Sequence, residues 1–256
     1  YSTGPVIGAS LALATASAFV VPLTGSWRGI SLIYGTGVMI TMIMWFVFAR
    51  EIKEDNDSGF ENVSTLHVFR RLINIRNVQV ILILAIATFL LNHGLNNWLP
   101  ALLQEKSMTI SEAGFWTAIS TVAGVLGLVI IPNIAKYGHR VFTLSVMFLI
   151  ASFTTFGLTV FTDAPLFMVL IVSGIVRAPM MPLLTLVLME TKGVNSANMG
   201  AAAGLFFAAA EIGGFGGPFL LGVARDFSGS MNMGLIGLSL CIGLLLFILP
   251  AINERD

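Results

Sequence analysis

One cysteine, Cys241, stands in the whole chain, so no disulfide can close within it. Charge is almost as scarce: 10% of residues are Asp, Glu, Lys or Arg, where soluble domains carry roughly 25%. The 13 basic and 13 acidic side chains cancel, which leaves no basic footprint for nucleic acid. Histidines number three, His67, His93 and His139, in separate segments without metal-ligand spacing. No HExxH, phosphate-loop or G-x-S-x-G pattern occurs. Gly213 to Gly217 is glycine-rich, but no strand precedes it, so it is not a phosphate loop. Together these absences point away from an enzyme, a metal site and any cofactor. There is no starting methionine and no signal-peptide pattern, so the chain reads as a piece of a longer polypeptide.

What is present is apolar length. Hydrophobic residues make up 56% of the chain and the mean hydropathy is +0.92. The runs are continuous rather than alternating, which disfavours a transmembrane β-barrel. The expected fold is all-α, a polytopic transmembrane helical bundle. Eight spans are predicted near 4–23, 29–49, 78–100, 112–133, 141–161, 165–189, 199–223 and 231–252. The methionines and phenylalanines read as lipid-facing and packing residues. Short turns rich in glycine, serine, asparagine and proline join most of the spans.

One connection differs. From Arg50 to Asn77 the chain turns polar, which divides it into 1–50, a loop at 51–77, and a six-span unit at 78–256. Within the loop, Leu66 to Asn74 is amphipathic enough for a short surface helix, and a solvated linker is the alternative. Lys and Arg concentrate on the side of this loop, which predicts a cytoplasmic loop and carboxyl terminus. The expected location is the inner (plasma) membrane, with the lipid bilayer as a partner. The oligomeric state is left open.

Two apolar spans carry a charge at their middle: Arg177 in 165–189 and Glu211 in 199–223. At about 1.5 Å per residue each lies some 18 Å from its span ends, where a bare charge costs roughly 2.5–3.5 kcal/mol or more. One reading is a static ion pair locking the two helices. The other is a solute or coupling-ion site, with Arg177 as the anion contact and Glu211 as counter-charge or proton carrier. The third span ends in a polar group, Asn92, His93, Asn96 and Asn97, followed by Trp98. Asn92 and Asn96 share one face, with His93 and Asn97 in the adjacent row. This group is either the lining of a solute cavity or a water-satisfied patch at the interface, with Trp98 in the aromatic belt. His93 could also take up a proton.

Small residues and prolines mark contact and bending. Gly200, Gly204 and Ala208 form a small-xxx-small ridge suited to close helix approach. Gly213, Gly214 and Gly217, ending in Pro218, should bend or loosen their helix. Pro179 and Pro182 should kink the span just past Arg177. Gly4, Pro5 and Gly8 repeat the theme in the first span.

Gly4-Pro5-Val6-Ile7-Gly8 resembles the glycine–proline motif in the fifth helix of major facilitator superfamily transporters, and Gly25-Ser26-Trp27-Arg28 the turn after it. Pro132 to Arg140 resembles that family's inner loop motif, with Lys136 where an aspartate is usual. Gly213 to Gly222, ending in Arg225-Asp226, resembles its eleventh helix and outer turn. The stretches from Met180 to Leu184 and from Ala209 to Glu211 are similar to cyanate- and nitrate/nitrite-permease-like members. The resemblance implies a partial major facilitator fold, helices five to twelve, working by alternating access. It implies a permease or symporter for a small, anionic solute, with the proton as candidate coupling ion. Proton-driven efflux of drugs or organic cations, and a non-transporting membrane sensor, are the alternatives.

Overall fold

The computed structural model describes residues 8, 12, 15–26, 28–49 and 65–253. They divide into two units, Tyr1–Asn62 and Val63–Asp256. Gly4, Pro5, most of the expected first span and loop residues 51–64 lie outside the described part. In the first unit a π-helical turn, Ala16–Val20, runs into α1, Val21–Thr24, which stops at Gly25 in the left-handed region (φ 64°). Helix α2, Arg28–Phe48, follows. Its Tyr34 hydroxyl donates to the Ala12 carbonyl at 2.8 Å and lies 2.7 Å from Thr15 Oγ1. Gly8 is helical and exposed, with open space where a Cβ would stand.

The second unit begins with α3, Thr65–Ile73, the amphipathic segment of the polar loop. It buries Leu72 in the core and leaves Arg70 and Arg71 exposed. Then come α4, Arg76–Glu105; α5, Ile110–Ile134; α6, Arg140–Val160; and α7, Asp163–Arg177, continued by α8, Met180–Met189. The last two are α9, Met199–Ser228, and α10, Asn232–Leu244, extended by 3-10 turns to Ala251. Among the described residues of the chain, seven helices are long and apolar enough to cross a membrane. Thr109 caps α5 in a reciprocal box with Glu112, and Gly229 ends α9 in the left-handed region (φ 73°). Each device supplies partners for helix-end groups that have none within the helix.

Hydrophobic burial does little to hold helices together in lipid, so close packing and interhelical hydrogen bonds take over. The structure shows three such seams. Between α4 and α9, a Cβ on Gly213 would lie 1.8 Å from the Ile86 carbonyl oxygen, and one on Gly217 2.2 Å from that of Leu90. Between α5 and α7, a Cβ on Gly127 would lie 1.9 Å from the Ile175 oxygen and one on Gly174 1.9 Å from that of Ser120. Ser120 Oγ also donates to the Leu170 carbonyl at 2.8 Å, and Trp116 stacks on Phe167 at 3.8 Å. Between α6 and α10, Ser152 and Ser239 each donate to the other's carbonyl at 2.9 Å.

The glycine ridge is therefore not where the spacing put it. Gly200, Gly204 and Ala208 are exposed, and among the described residues nothing lies within 4 Å of a Cβ on either glycine. Gly213 and Gly217 make the close approach instead. Nor does the glycine cluster break its helix, because α9 runs through Pro218 to Ser228. The Pro218 carbonyl accepts the Trp98 indole N–H at 2.9 Å.

At one end of the bundle Arg225 Nε meets Glu105 Oε1 at 2.8 Å, and Glu105 Oε2 accepts the Met231 N–H at 3.1 Å. At the other, Arg140 pairs with Glu190, and Asn77 exchanges hydrogen bonds with Asn253 at 2.9 and 3.2 Å. The two ends are thus tied by polar clamps outside the apolar seams.

Gly213→Ala should cost about 1–3 kcal/mol of overpacking, whereas Gly200→Ala should be neutral or gain up to about 1 kcal/mol of helix propensity. Thermal unfolding of the detergent-solubilised protein, with the midpoint falling only for the first variant, checks this.

Candidate functional site

The span holding Arg177, Asp163–Met189, has its helical hydrogen bonding interrupted at Ala178 and Pro179, whose backbone stays in the right-handed helical region. Helix α7 stops at Arg177 and α8 starts at Met180. Pro179 has no N–H for the Ile175 carbonyl, and Pro182, in the first turn of α8, has none for Ala178. Carbonyls left without a helical partner at membrane depth are tolerated only where protein covers them or where they line a cavity. Here the freed turn is covered by α4 and α5. Asn92 Nδ2 donates to the Arg177 carbonyl at 3.4 Å, and the Ile175 oxygen packs against Gly127.

Arg177 itself is buried, with 5% of its surface exposed. Its Nε donates to Ser173 Oγ at 3.1 Å, one helical turn back. Nη1 donates to Asn92 Oδ1 at 3.4 Å and to Asn96 Oδ1 at 3.3 Å. Every one of these acceptors is neutral. Among the described residues the ion pairs are Arg140–Glu190 and Arg225–Glu105, and Arg177 has no carboxylate. A guanidinium has five donors, and the three bonds above leave the pair on Nη2 without a protein acceptor among the described residues.

Helix α4 brings the amides to this point because it is longer than the apolar run suggested. Pro100 does not end it, and it continues to Glu105. Over 30 residues its midpoint falls at Leu90 and Leu91, so Asn92 and His93 lie within about one turn of the middle. The alternative placement of this group at an interface does not fit Asn92, which is half-buried against Arg177. Thr88, one turn before Asn92 on the same face, is fully buried with its hydroxyl unpartnered among the described residues.

Glu211 is placed apart from Arg177. It is exposed and makes no ion pair among the described residues. The expected static lock between the two charges is therefore not formed. Glu211 and His93 both approach Gly214. From the point where a Gly214 Cβ would stand, Glu211 Oε2 is 2.7 Å away and His93 Nδ1 3.4 Å. His93 stacks on Phe89 at 5.0 Å and accepts Asn97 Nδ2 at its carbonyl at 2.8 Å. At about 100° per residue, the row Asn92–Asn96 and the row His93–Asn97 lie side by side on α4. Arg177 meets the first row and Glu211 the second. With α9 reaching Ser228, Glu211 is 12 residues from its start and 17 from its end.

Of the predicted site residues, Arg177, Asn92 and Asn96 come together, and His93 joins Glu211 across Gly214. Gly214 and Pro218 border a groove of about 690 Å³ whose other walls include Trp98, Phe215 and Phe219. Reading the sequence missed Ser173, although its place four residues before Arg177 puts it on the same helical face. It also missed Glu105 and Arg225, whose partnership depends on two helices 120 residues apart in the chain.

The pattern that defines the Major Facilitator Superfamily matches residues 1–218. A curated relative from Acinetobacter baumannii, described as a "Quinolone resistance transporter", is 26% identical over 187 residues. That alignment covers 64% of this chain and 39% of the relative, so the chain spans about two-fifths of the relative's length.

Ser173→Ala takes a neutral acceptor from a buried cation and should lower stability by about 1.5–3 kcal/mol. Asn97→Ala, on an exposed face, should stay within about 0.5 kcal/mol. Parallel melting curves in detergent decide between equal and unequal effects.

Proposed function

The chain belongs to the Major Facilitator Superfamily and is a multi-pass membrane protein, and from that premise we propose that it forms part of a secondary active transporter for a small anionic solute. The observation that carries the reading is the buried Arg177 guanidinium, surrounded by Ser173, Asn92 and Asn96 and matched by no carboxylate among the described residues. A buried cation is costly unless something neutralises it. Amide oxygens orient the planar fork without cancelling its charge. A carboxylate or another oxyanion on the free Nη2 edge does both, through charge-assisted hydrogen bonds. The broken α7–α8 span supports the same reading, since interrupted helices recur at transporter binding sites.

Solute binding and release on opposite sides then require the seams around Arg177 to exist in two arrangements. We assign the long-loop side and the carboxyl terminus to the cytoplasm on the excess of Lys and Arg there. A second reading, drug efflux, is favoured by the relative's description and by the aromatic groove of Trp98, Phe215 and Phe219.

The test is uptake of a panel of labelled small anions by the full-length protein in proteoliposomes. Arg177→Ala should cost about 2–5 kcal/mol of solute affinity, a loss of roughly thirtyfold or more. Arg177→Lys should retain part of it, because a lysine keeps the charge and loses the fork. Wild-type uptake of every solute by Arg177→Ala would end the anion reading. Competition by organic cations, with no response to anions, would favour efflux.

A further inference from the structure

We propose that helix α3, with Arg76 and Lys192 beside it, is a docking surface for the phosphate headgroups of anionic lipids at the long-loop end of the bundle. The inference rests on membrane embedding and not on the solute reading above.

The surface is built on a helix that is held in place. Leu72 of α3 is buried in the core with Val68 packed against it, and the Ile75 N–H donates to the Leu72 carbonyl at 3.0 Å. Only Asn74 and Ile75 separate α3 from α4, so α3 stays at the level where α4 begins. Helix α4 has 30 residues and is about 45 Å long, whereas the hydrocarbon core of a bilayer is roughly 30 Å thick. Its polar first turn, with Arg76, Asn77 and Gln79, therefore reaches the headgroup layer.

The faces of α3 then follow from helical spacing. Measured from Leu72, Arg70 lies about 160° round the helix, while Arg71 and Ile73 lie about 100° to either side. All three are exposed, Ile73 at 43%. An apolar edge beside a basic face is the profile of a helix lying in the plane of the interface. A Cβ on Gly193 would stand 2.9 Å from Ile75 Cδ1. The turn between α8 and α9 thus lies against the α3–α4 joint and carries the exposed Lys192 to the same end.

Charge selects the occupant. Among the described residues Arg70, Arg71, Arg76 and Lys192 make no ion pair, and the acid at this end, Glu190, is taken by Arg140. Cations gathered at one membrane level match a layer of phosphates. A phosphodiester accepts paired hydrogen bonds from a guanidinium fork, and the arginine stems and Ile73 face the first carbons of the acyl chains. Basic clusters on an amphipathic helix next to a membrane span attract anionic lipid in this way. The competing occupant within the chain is its own acidic stretch, Glu51, Glu54, Asp55, Asp57 and Glu61, which lies outside the described residues.

The test places a fluorophore on Asn74→Cys, an exposed position in the α3–α4 turn, in full-length protein made otherwise cysteine-free by changes that include Cys241→Ser. The protein is reconstituted in phosphatidylcholine nanodiscs, and phosphatidylglycerol or phosphatidylcholine carrying a nitroxide near the headgroup is titrated in. Half-quenching should need about fivefold less of the anionic lipid. Arg70→Gln with Arg71→Gln should bring the two titrations together, as should about 1 M salt. Arg70→Lys with Arg71→Lys should keep most of the difference, because the charge remains. Both arginines are exposed, so these variants leave the core intact. Equal quenching by the two lipids in the unaltered surface would overturn the proposal, and so would a preference that survives the loss of both arginines. A preference that emerges only after the acids of residues 51–61 are changed to amides would give the surface to the chain's own loop and overturn it too. Abolition of the preference by millimolar inorganic phosphate would make this a soluble-anion site instead.

Discussion

A guanidinium that is buried yet, among the described residues, paired with neutral acceptors is the constraint around which this bundle is arranged. Arg177 cannot leave the protein interior for lipid, because the cost of a bare charge there is several kcal/mol. It cannot be ignored by its neighbours either, since each unpaired donor would add its own desolvation penalty. Ser173, Asn92 and Asn96 answer the second demand and leave the first open. Holding those acceptors in place needs α4 to pack against α8 and α9 while α5 packs against α7. The seams at Gly213 and Gly217 supply the closeness of α4 to α9, and those at Gly127 and Gly174 that of α5 to α7.

Those seams replace the hydrophobic effect, which does not drive helix association within lipid. Each puts a glycine Cα against a neighbouring carbonyl, so backbones touch and side chains are spared for other work. Around the seams the bundle ends are fixed by polar clamps, Glu105–Arg225 on one side and Arg140–Glu190 with Asn77–Asn253 on the other. The result is an interior in which polar groups are few and placed, with the freed Ile175 carbonyl packed against Gly127 and the Pro218 carbonyl accepting the Trp98 indole N–H. Aromatic contacts reinforce this. Arg225 lies over the Trp98 ring at 5.6 Å, so one tryptophan serves both the clamp and the helix seam.

Much of the bundle could be read from residues in order. The apolar runs located the spans from α2 to α10 to within a few residues. Pro179 marked the interruption after Arg177, and the amphipathic stretch before Arg76 marked α3. Misplacements came from features that depend on a neighbour. Gly200 and Gly204 fit a packing motif as well as Gly213 and Gly217 do, and only the position of α4 chooses between them. Pro100 reads as a stop, yet α4 continues to Glu105, and this moves Asn92 and His93 to mid-helix. Ser173 was within reach of a helical-spacing argument, whereas the Glu105–Arg225 contact was not.

The sequence by itself determined the class of molecule, the number of long apolar helices after Gly25, and the presence of one cation and one acid at depth. Composition, hydropathy and spacing are properties of the chain, and lipid admits little else but helices to such runs. Only the tertiary structure decided the partners. Two ionisable groups at similar depth suggest a pair, but pairing depends on which faces the helices turn to one another. Those faces are set by glycine-to-carbonyl contacts at a few positions. They give Arg177 to the amides of α4 and leave Glu211 beside His93.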